Sequence, residues 1–461
     1  MSATEPVVGG LQQPADLLLR DVHVLDPRAR IDARRDLRVR AGRIVELGEP
    51  GTLEPEPTSA TDSANSGDGA EELIDGAGRL RLLPAFFDPH VHLRTPGQEH
   101  KEDISTGTRA AAAGGFGAVI AMPNTDPVLD SAPLLRSLRD AAAREARVPV
   151  GLLPAITRGL AGEQLTEMAE LRQEGALGFT DDGKPVHSAG MLRKALQYQR
   201  LCGGVLALHE EDPTLSRGGA MHEGAVSAAL GIAGIPTVAE STMVARDAAL
   251  AGYEDGRVHF QHLSCVASVE AVADAKARGW RVSAEVCPHH LLLTEEDVRG
   301  MDTSMKMHPP LATEADRLAL VEGLRAGTID CVATDHAPHA RHEKEVPFEQ
   351  APMGSTGLET AFAALHTGLV LPGILDLALL VERMTAGAAL FELPTPTIAV
   401  GESANLTLVD LDAVWVAGEH GWESRSENCC FAGRRLQGRV LMTIAAGAVA
   451  HRDRALAMVG A

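Results

Sequence analysis

The sequence predicts an α/β protein: a (β/α)8 barrel of the TIM type, with a small β-sandwich domain built from both chain ends. Eight short apolar runs alternate with helix-like segments in the middle of the chain, and strand-like alternation occupies both ends. Most of the apolar runs end in His, Asp or Asn. A chain of 461 residues is long enough for a large barrel and a smaller companion domain.

The two chain ends share one pattern. "LLLRDVHVLD" and "DLRVRAGRIVELG" near the start, and "ANLTLVDLD" and "GRRLQGRVLMTIAAGAVAHR" near the end, alternate as β-strands do. Because chain ends often lie close together, we expect residues 1–83 and 395–461 to form one β-sandwich domain. Residues 48–72 are rich in Pro, Ser, Gly and acidic residues, which predicts a mobile surface loop.

The middle of the chain, residues 84–394, is the predicted catalytic barrel. Near-continuous apolar strands that alternate with helices indicate a parallel sheet buried on both faces, and eight such units indicate a closed barrel. The runs are residues 82–92, 116–124, 148–156, 176–183, 204–212, 258–264, 281–290 and 329–339. Barrel active sites lie at the carboxyl ends of the strands, where these runs place their polar residues.

Composition narrows the function class. The net charge of −21 argues against a nucleic-acid surface and against binding to anionic membranes. No apolar run reaches 18 residues and the first residues lack a basic segment, so we expect neither a membrane span nor a signal peptide. The six cysteines form no CxxC pair, which favours reduced thiols in a cytoplasmic protein.

The stretch "FFDPHVHLRTPG" contains the first candidate ligands. His90 and His92 are two residues apart, so on a strand both imidazoles point into the same space. Arg94 continues the alternation and is expected on the same strand face. A guanidinium suits a carboxylate partner, which indicates an acidic substrate. An HxH pair alone is a weak signal of a metal site.

The ends of four later runs strengthen the metal hypothesis. They carry Asp181 and Asp182, His209, His262, and Asp335. Imidazoles and carboxylates converging at one barrel mouth predict a site for one or two ions such as zinc. Zinc lowers the pKa of a bound water to about 7, so the resulting hydroxide could attack an amide carbon. Asp335 is the best candidate to carry the proton to the leaving nitrogen.

Six motifs together identify a family. "DPHVHLRTPG", "AMPNTDPV", "FTDDG", "AEVCPHHLLL", "ATDHAPH" and "GSTGLET" resemble, in order and spacing, those of bacterial type I dihydroorotases in the amidohydrolase superfamily. The resemblance covers nearly the whole predicted barrel. It implies reversible cyclisation of N-carbamoyl-L-aspartate to L-dihydroorotate in de novo pyrimidine (UMP) biosynthesis, with zinc as cofactor.

The resemblance also implies residue roles. Asp182 matches the position of the bridging carboxylate, and Asp335 that of the ligand that shuttles the proton. The other implied metal ligands are His90 and His92 for the first ion, and His209 and His262 for the second. The implied substrate-carboxylate ligands are Arg94, Asn124 and His339.

One motif departs from the family pattern. "KMHPPL" places His308 where the family usually carries an asparagine that contacts the substrate ring. Histidine cannot present a donor and an acceptor in amide geometry, so the contact geometry shifts or a water intervenes. Met353 and Gly354 occupy a stretch whose backbone closes over the ring in the family, although Met353 also suits plain packing.

Two other functions are compatible with the sequence. One is a related cyclic amidohydrolase, such as a hydantoinase, dihydropyrimidinase or allantoinase; those relatives generally bridge their metals with a lysine and lack the arginine of the HxHxR pattern. The other is a non-catalytic barrel that serves aspartate transcarbamoylase as a structural partner. Retention of all six candidate ligands argues against the second. As partners we expect a small-molecule substrate, a second copy in a homodimer, and possible association with aspartate transcarbamoylase.

Overall fold

A computed structural model of the chain describes residues 7–9, 13–55 and 71–458. Most of the predicted mobile loop, residues 56–70, lies outside the described residues. Within the described residues, no helix combines the length and the apolarity that crossing a membrane requires.

Strands are numbered in chain order. The first group is β1 (Leu17–Asp26), β2 (Ile31–Arg40), β3 (Arg43–Gly48), β4 (Glu72–Asp75) and β5 (Arg81–Pro84). The middle group is β6 (Phe86–Val91), β7 (Phe116–Ala121), β8 (Val150–Leu152), β9 (Gly178–Thr180), β10 (Val205–Leu208), β11 (Met221–His222), β12 (Gly234–Ile235), β13 (Val258–Phe260), β14 (Val282–Val286) and β15 (Cys331–Val332). The last group is β16 (Leu406–Val416), β17 (Arg435–Ala445) and β18 (Ala448–Arg452).

Strands from both chain ends pair in one eight-stranded sheet. Its order is β18-β17-β16-β5-β1-β2-β3, and β4 pairs with β1 outside this path. Strand β5 joins the two ends of the chain, because it pairs in parallel with β1 on one side and antiparallel with β16 on the other. Leucines from both ends, among them Leu17, Leu37, Leu82 and Leu406, pack in a buried cluster of this sheet.

Eight strands of the middle group belong to two larger parallel sheets. They form a three-stranded sheet, β6-β7-β8, and a five-stranded sheet, β15-β14-β13-β10-β9. Hydrogen bonds also join the edges of the two sheets. The Leu177 amide donates to the Leu152 carbonyl at 3.2 Å, and the His92 amide, just past β6, donates to the His336 carbonyl at 2.9 Å. Each of the eight predicted apolar runs contains one of these strands.

Helices follow most of the middle strands and pack against them. Their bounds are α1 (Ile104–Ala113), α2 (Ala132–Glu145), α3 (Met168–Gln173), α4 (Ala189–Cys202), α5 (Pro213–Ser216), α6 (Ala225–Leu230), α7 (Val238–Glu254), α8 (Val266–Ala277), α9 (Pro288–Leu292), α10 (Glu314–Ala326), α11 (Arg341–Lys344), α12 (Ala361–Leu365), α13 (Leu377–Thr385) and α14 (Gly387–Leu390). Every residue of β6, β10 and β13 is buried, as expected for strands covered on both faces.

The strands are shorter than the apolar runs, and this changes one interpretation. Strand β6 ends at Val91, and Arg94 lies three residues further on with a left-handed φ of 59°. The expectation that strand alternation carries Arg94 onto the face of the two histidines is therefore wrong. The chain turns sharply at Arg94, and this turn, rather than the pleat, sets where its side chain lies.

Candidate metal centre and active site

The Asp182 carboxylate lies among four imidazoles. Its Oδ1 is 3.4 Å from His90 Nε2, 3.7 Å from His262 Nε2 and 3.9 Å from His209 Nδ1. Its Oδ2 is 3.5 Å from His92 Nε2. Strand β9 ends at Thr180, so Asp182 lies just past the strand end, and the histidines come from three other strand ends. The fold thus brings four of the predicted metal ligands together around a fifth, the Asp182 carboxylate.

Asp335 lies on the His90 and His92 side of this cluster. Its Oδ1 is 3.0 Å from His92 Nε2 and 3.5 Å from His90 Nε2. Asp335 and His262 both adopt left-handed backbone conformations, with φ of 45° and 33°. Residues with side chains at Cβ avoid this region, and where they adopt it they cluster at functional sites.

The buried nitrogens of the cluster test whether a metal fits. His90 Nε2, which faces Asp182, is buried and has no hydrogen-bond partner, whereas His209 Nδ1 and His262 Nε2, the other nitrogens nearest Asp182 Oδ1, lie 2.9 Å apart. Leaving a buried polar atom unpaired is costly, and the neutral imidazole nitrogen is the commonest metal ligand in proteins. Two ligand groups with spacing suited to one ion meet here: His90, Asp182 and His262, and His90, His92 and Asp335. The donor set therefore fits a cation such as zinc.

Charge in the cluster is distributed between carboxylates and imidazoles. Burial opposes ionisation of Asp182, but the neighbouring imidazoles of His90, His262 and His92 outweigh it and hold the pKa of this carboxyl well below its ordinary value. Burial likewise opposes ionisation of Asp335, and His90 and His92 lower its pKa. Both carboxylates are thus anionic ligands at neutral pH.

Asp181, the first acid of the "TDDG" motif, hydrogen-bonds to a neighbouring segment and not to the imidazoles. One of its oxygens accepts hydrogen bonds from the Ile156 amide at 2.8 Å and the Thr157 amide at 2.9 Å, and the other accepts from the Thr157 hydroxyl. Burial raises the pKa of Asp181 to about 6 despite these donors. Asp181 therefore fixes the segment that follows β8, whereas Asp182 points into the imidazole cluster.

Asn124 contacts the cluster itself. Its Oδ1 is 2.8 Å from His92 Nδ1, and its Nδ2 donates to Asp182 Oδ2 at 3.3 Å. The His92 contact requires a proton on Nδ1 and leaves Nε2 free to face Asp335 and Asp182. Both ends of the Asn124 amide thus orient groups of the site, and its substrate-binding role stays a prediction.

Arg94 is buried near the same cluster. Its Nε donates to the Pro338 carbonyl at 3.2 Å, and the charges of Asp335 and Asp182 act on its guanidinium. Burial lowers the pKa of Arg94, although an arginine remains protonated at any physiological pH. The side chain therefore supplies a fixed positive charge beside an anionic pair of carboxylates.

His308 faces the cluster from the far side of His209. The two imidazole rings lie 4.6 Å apart in an edge-on arrangement. His308 Nε2 hydrogen-bonds with a Glu211 carboxylate oxygen, while the other Glu211 oxygen accepts from Ser216 Oγ at 2.6 Å. The histidine that replaces the family asparagine is thus held by a carboxylate, that of Glu211. The sequence motifs did not indicate a role for Glu211.

A family model and curated relatives agree on one family. A family model described as "Dihydro-orotase-like" matches residues 78–270. Two curated proteins named "Dihydroorotase" align over 95% of this chain: one from Pelotomaculum thermopropionicum at 43% identity over 99% of its length, and one from Anaeromyxobacter sp. (strain K) at 44% over 98%. The chain belongs to the dihydroorotase family. The sequence-based identification is therefore confirmed.

Solved structures support the same architecture. The L-hydantoinase (dihydropyrimidinase) from Arthrobacter aurescens superposes with a TM-score of 0.81 at 25% identity, covering 94% of this chain and 96% of that one. The dihydropyrimidinase from Brevibacillus agri NCHU1002 superposes with a TM-score of 0.78 at 23% identity, covering 95% of each chain, and shows the fold alone. The α/β fold of this dihydroorotase-family chain is thus shared with cyclic amidohydrolases.

The loop with Met353 and Gly354 closes on His339. His339 Nε2 donates to the Met353 carbonyl at 2.9 Å, and its Nδ1 is buried without a hydrogen-bond partner. Burial and the positive charge of Arg94 lower the pKa of His339 to about 2, so the ring is neutral. The loop itself is anchored by Lys306, whose ammonium donates to three carbonyls in residues 348–351.

Asn428, from the C-terminal part of the chain, contacts both this loop and the segment of His339. Asn428 Nδ2 donates to the carbonyls of Ala337 and Gly354, both at 3.1 Å, and its Oδ1 accepts from the His339 amide at 3.0 Å. Asn428 thereby ties the loop of Gly354 to the segment that follows Asp335. It lies in "SENCC", which carries no strand or helix pattern and no family motif, so nothing in the sequence singled it out.

Replacing Gly354 by alanine is expected to lower both the melting temperature and kcat/KM. Gly354 has a φ of 132°, and an added Cβ would lie 2.7 Å from the Ala337 Cβ and 3.1 Å from His339 Nε2. Such overpacking costs about 1–3 kcal/mol. Gly373→Ala is the control, because Gly373 also has a positive φ but nothing within 4 Å. Equal losses of kcat/KM in the two variants would show that the close packing at Gly354 is unimportant.

Proposed function

We propose that this protein is a zinc-dependent dihydroorotase, which interconverts N-carbamoyl-L-aspartate and L-dihydroorotate in pyrimidine biosynthesis. The observation that carries the proposal is the Asp182 carboxylate within 3.9 Å of four imidazoles. The cluster suits a metal-assisted hydrolysis, and the Arg94 guanidinium suits a substrate that carries a carboxylate. The curated relatives at 43–44% identity bear the matching name.

Six side chains would hold one or two zinc ions. His90 and His92 would serve the first, His209 and His262 the second, and Asp182 would bridge them. Asp335, 3.0 Å from His92 Nε2, is the sixth ligand. When bound, zinc supplies a water of lowered pKa and polarises the amide carbonyl.

Asp335 is proposed as the proton carrier. Its carboxylate is held beside His92, and its pKa is low, so it begins the hydrolytic reaction unprotonated. It accepts the proton of the attacking water and delivers it to the ring nitrogen as the amide bond breaks. In the direction of ring closure the same oxygen takes the proton from the carbamoyl nitrogen.

Arg94 is proposed as the main ligand of the substrate carboxylate, with Asn124 and His339 beside it. The fixed charge of Arg94 needs no proton uptake. His339 Nε2 already donates to Met353, so its Nδ1 can donate to a carboxylate only if the ring gains a second proton, which Arg94 opposes. His339 therefore contributes less than Arg94. His308, Met353 and Gly354 are proposed to contact the ring.

Replacing Arg94 by glutamine is expected to lower kcat/KM for dihydroorotate about 10- to 100-fold, since a hydrogen bond to a charged group contributes about 1.5–3 kcal/mol. The zinc content should stay at the wild-type level. A hydantoin without a carboxylate serves as the control substrate, because its slow turnover should be unaffected. Unchanged kcat/KM for dihydroorotate would remove Arg94 from the substrate site.

A substrate panel tests the function itself. Purified zinc-loaded protein should turn over dihydroorotate much faster than hydantoin, dihydrouracil or allantoin. A preference for hydantoin or dihydrouracil would instead assign the chain to the class of its solved structural neighbours. No turnover of any substrate by protein with bound zinc would favour the non-catalytic partner of aspartate transcarbamoylase.

The same proposal extends to architecture and assembly. We propose that the eight parallel strands close into a (β/α)8 barrel over residues 84–394, because hydrogen bonds join both pairs of outer edges of the two parallel sheets. Residues 1–83 and 395–461 would form the β-sandwich domain. A cytoplasmic homodimer, alone or associated with aspartate transcarbamoylase, is the proposed working form, and the six free thiols suit a reducing compartment.

A further inference from the structure

A row of hydrogen-bonded side chains runs beneath the imidazole cluster. Ser283 Oγ is 2.9 Å from His259 Nδ1, and His259 Nε2 is 2.9 Å from Glu285 Oε2. The other oxygen, Glu285 Oε1, is 2.7 Å from His90 Nδ1. The row therefore links the half-buried Ser283 on β14 to His90 on β6 through the interior of the parallel strands.

The burial of this row requires an explanation. His259 is 1% exposed, and Glu285 and His90 are fully buried. An ionised carboxylate is costly to bury unless it is hydrogen-bonded, and Glu285 has three donors around it. Besides the two imidazoles, the His262 amide donates to Glu285 Oε1 at 3.3 Å.

The chemistry of the groups fixes the direction of each hydrogen bond. A carboxylate only accepts, so His90 Nδ1 and His259 Nε2 must both carry protons. His259 Nδ1 then accepts from the Ser283 hydroxyl, and the ring is neutral. For His90 the consequence is that its lone pair lies on Nε2, the atom that faces Asp182 and Asp335.

A second side chain competes for the same nitrogen. Gln261 Nε2 is 3.2 Å from His90 Nδ1, while the Gln261 amide oxygen accepts from Thr180 Oγ1 at 3.0 Å. Were Gln261 the donor, Nε2 of His90 would carry the proton and could not bind a metal. The Glu285 contact is shorter, at 2.7 Å, and involves a charge, so it decides the tautomer.

We propose that Glu285, supported by His259 and Ser283, is a positioning residue that fixes the tautomer and ring orientation of His90 for metal binding. This inference rests on the metal centre of the proposed function. None of the three side chains is among the proposed metal or substrate ligands. Partners of this kind hold a metal-binding imidazole in place and increase its basicity, and their loss typically reduces metal affinity 10- to 100-fold.

Replacing Glu285 by glutamine tests the proposal with little change in shape. The amide can accept from only one of the two imidazoles and turns a donor toward the other. Zinc affinity, measured by competition with a chelator, is expected to fall about 10- to 100-fold. At saturating zinc, kcat should recover to near the wild-type value, which an effect on substrate or proton transfer would not do. The absorption spectrum of the cobalt-loaded protein should shift, because the His90 ligand is perturbed.

Glu240→Gln is the matched control. Glu240 is also a buried glutamate, and it accepts hydrogen bonds from the Ser264 amide and hydroxyl rather than from an imidazole. The Glu240→Gln substitution is expected to lower the melting temperature without a comparable loss of zinc affinity. If Glu285→Gln does not fold, Ser283→Ala, at the far end of the row, is expected to lower zinc affinity in the same direction by a smaller factor.

The outcomes separate this inference from the proposed function. Zinc affinity equal to that of the wild type in folded Glu285→Gln, or in Ser283→Ala where only that variant folds, would overturn the positioning role. Wild-type protein that binds zinc but leaves dihydroorotate unchanged would overturn the proposed substrate only, since zinc affinity is measured without substrate. Wild-type protein that binds no zinc would overturn both.

Discussion

Replacing Asp182 by asparagine is expected to abolish binding of at least one zinc ion and to reduce dihydroorotate turnover about 100- to 1000-fold or more. In the part of the chain that the structure describes, Asp182 is the one carboxylate within 3.9 Å of all four imidazoles. Removing one partner of a buried charge pair costs about 3–5 kcal/mol, and each 1.36 kcal/mol corresponds to a factor of ten. The asparagine has the same shape but no charge, so the loss measures the carboxylate itself.

Asp181→Asn is the matched control for Asp182→Asn. The two acids are adjacent and both are buried, yet Asp181 accepts from the backbone and hydroxyl of residues 156–157 instead of facing the imidazoles. An amide there turns a donor toward other donors, which costs about 1–3 kcal/mol of folding free energy. We expect a lower melting temperature with zinc content per folded molecule unchanged. Metal analysis and calorimetry on the two variants give opposite patterns if the assignment is right.

Two results would contradict the assignment. Full zinc content in Asp182→Asn would show that the carboxylate does not bridge or bind the ions. Loss of zinc in Asp181→Asn, with Asp182→Asn retaining it, would mean that the two acids exchange roles. The pair therefore tests which acid of "TDDG" faces the metal, a question that their adjacency in sequence leaves to the backbone geometry.

The metal cluster could be predicted from sequence because its members follow buried strands. An apolar run ends and a polar residue follows, and parallel strands bring such residues to one edge. His209 follows the end of β10 directly, and Asp182 and His262 each follow the ends of β9 and β13 by two residues. The spacing of the apolar runs and the parallel arrangement of the strands were therefore sufficient to predict that these side chains lie close together. For Arg94 the prediction relied on strand alternation, whereas a left-handed turn positions this residue.

The groups that support the cluster could not be predicted in the same way. Glu285 is the inward-facing residue of a strand interior, where sequence reasoning expects an apolar side chain. Its partners His90 and His259 lie 195 and 26 residues away, so no local pattern marks the contact. Asn428 reaches the site from the C-terminal part of the chain, where its side-chain amide hydrogen-bonds to backbone groups of His339 and Ala337. Such contacts depend on the tertiary arrangement and leave no periodic signal.

The structure shows how His308, which replaces the family asparagine, is held in place. A histidine in place of the family asparagine needs a partner that holds its ring, and Glu211 provides one while Ser216 holds Glu211. The contact engages His308 Nε2 and leaves Nδ1 as the atom that could face a ligand. The sequence thus departs from the family pattern at His308. The structure shows that Glu211 holds the His308 ring and that Ser216 in turn holds Glu211.

Replacing Asp335 by asparagine is expected to lower kcat about 100- to 10,000-fold, the usual contribution of a positioned acid–base group, with a smaller loss of zinc affinity. The amide keeps an oxygen that can face His92 but cannot accept and return a proton. Asp182 also lies beside the imidazoles, at 3.5 Å from His92 Nε2, so it still provides an anionic ligand when Asp335 is replaced. A loss of kcat at saturating zinc therefore reports on proton transfer rather than on metal loss.

Asp330→Asn is the control at the opposite end of the same strand. Asp330 precedes β15 and accepts from Lys276 Nζ at 2.7 Å and the Ala284 amide at 2.8 Å. In parallel sheets of this kind the amino ends of strands serve stability and the carboxyl ends carry the chemistry, so Asp330→Asn should lower the melting temperature and leave kcat unchanged. If Asp335→Asn keeps full activity at saturating zinc, another group carries the proton. If its activity is lost only in proportion to zinc, Asp335 is a ligand alone.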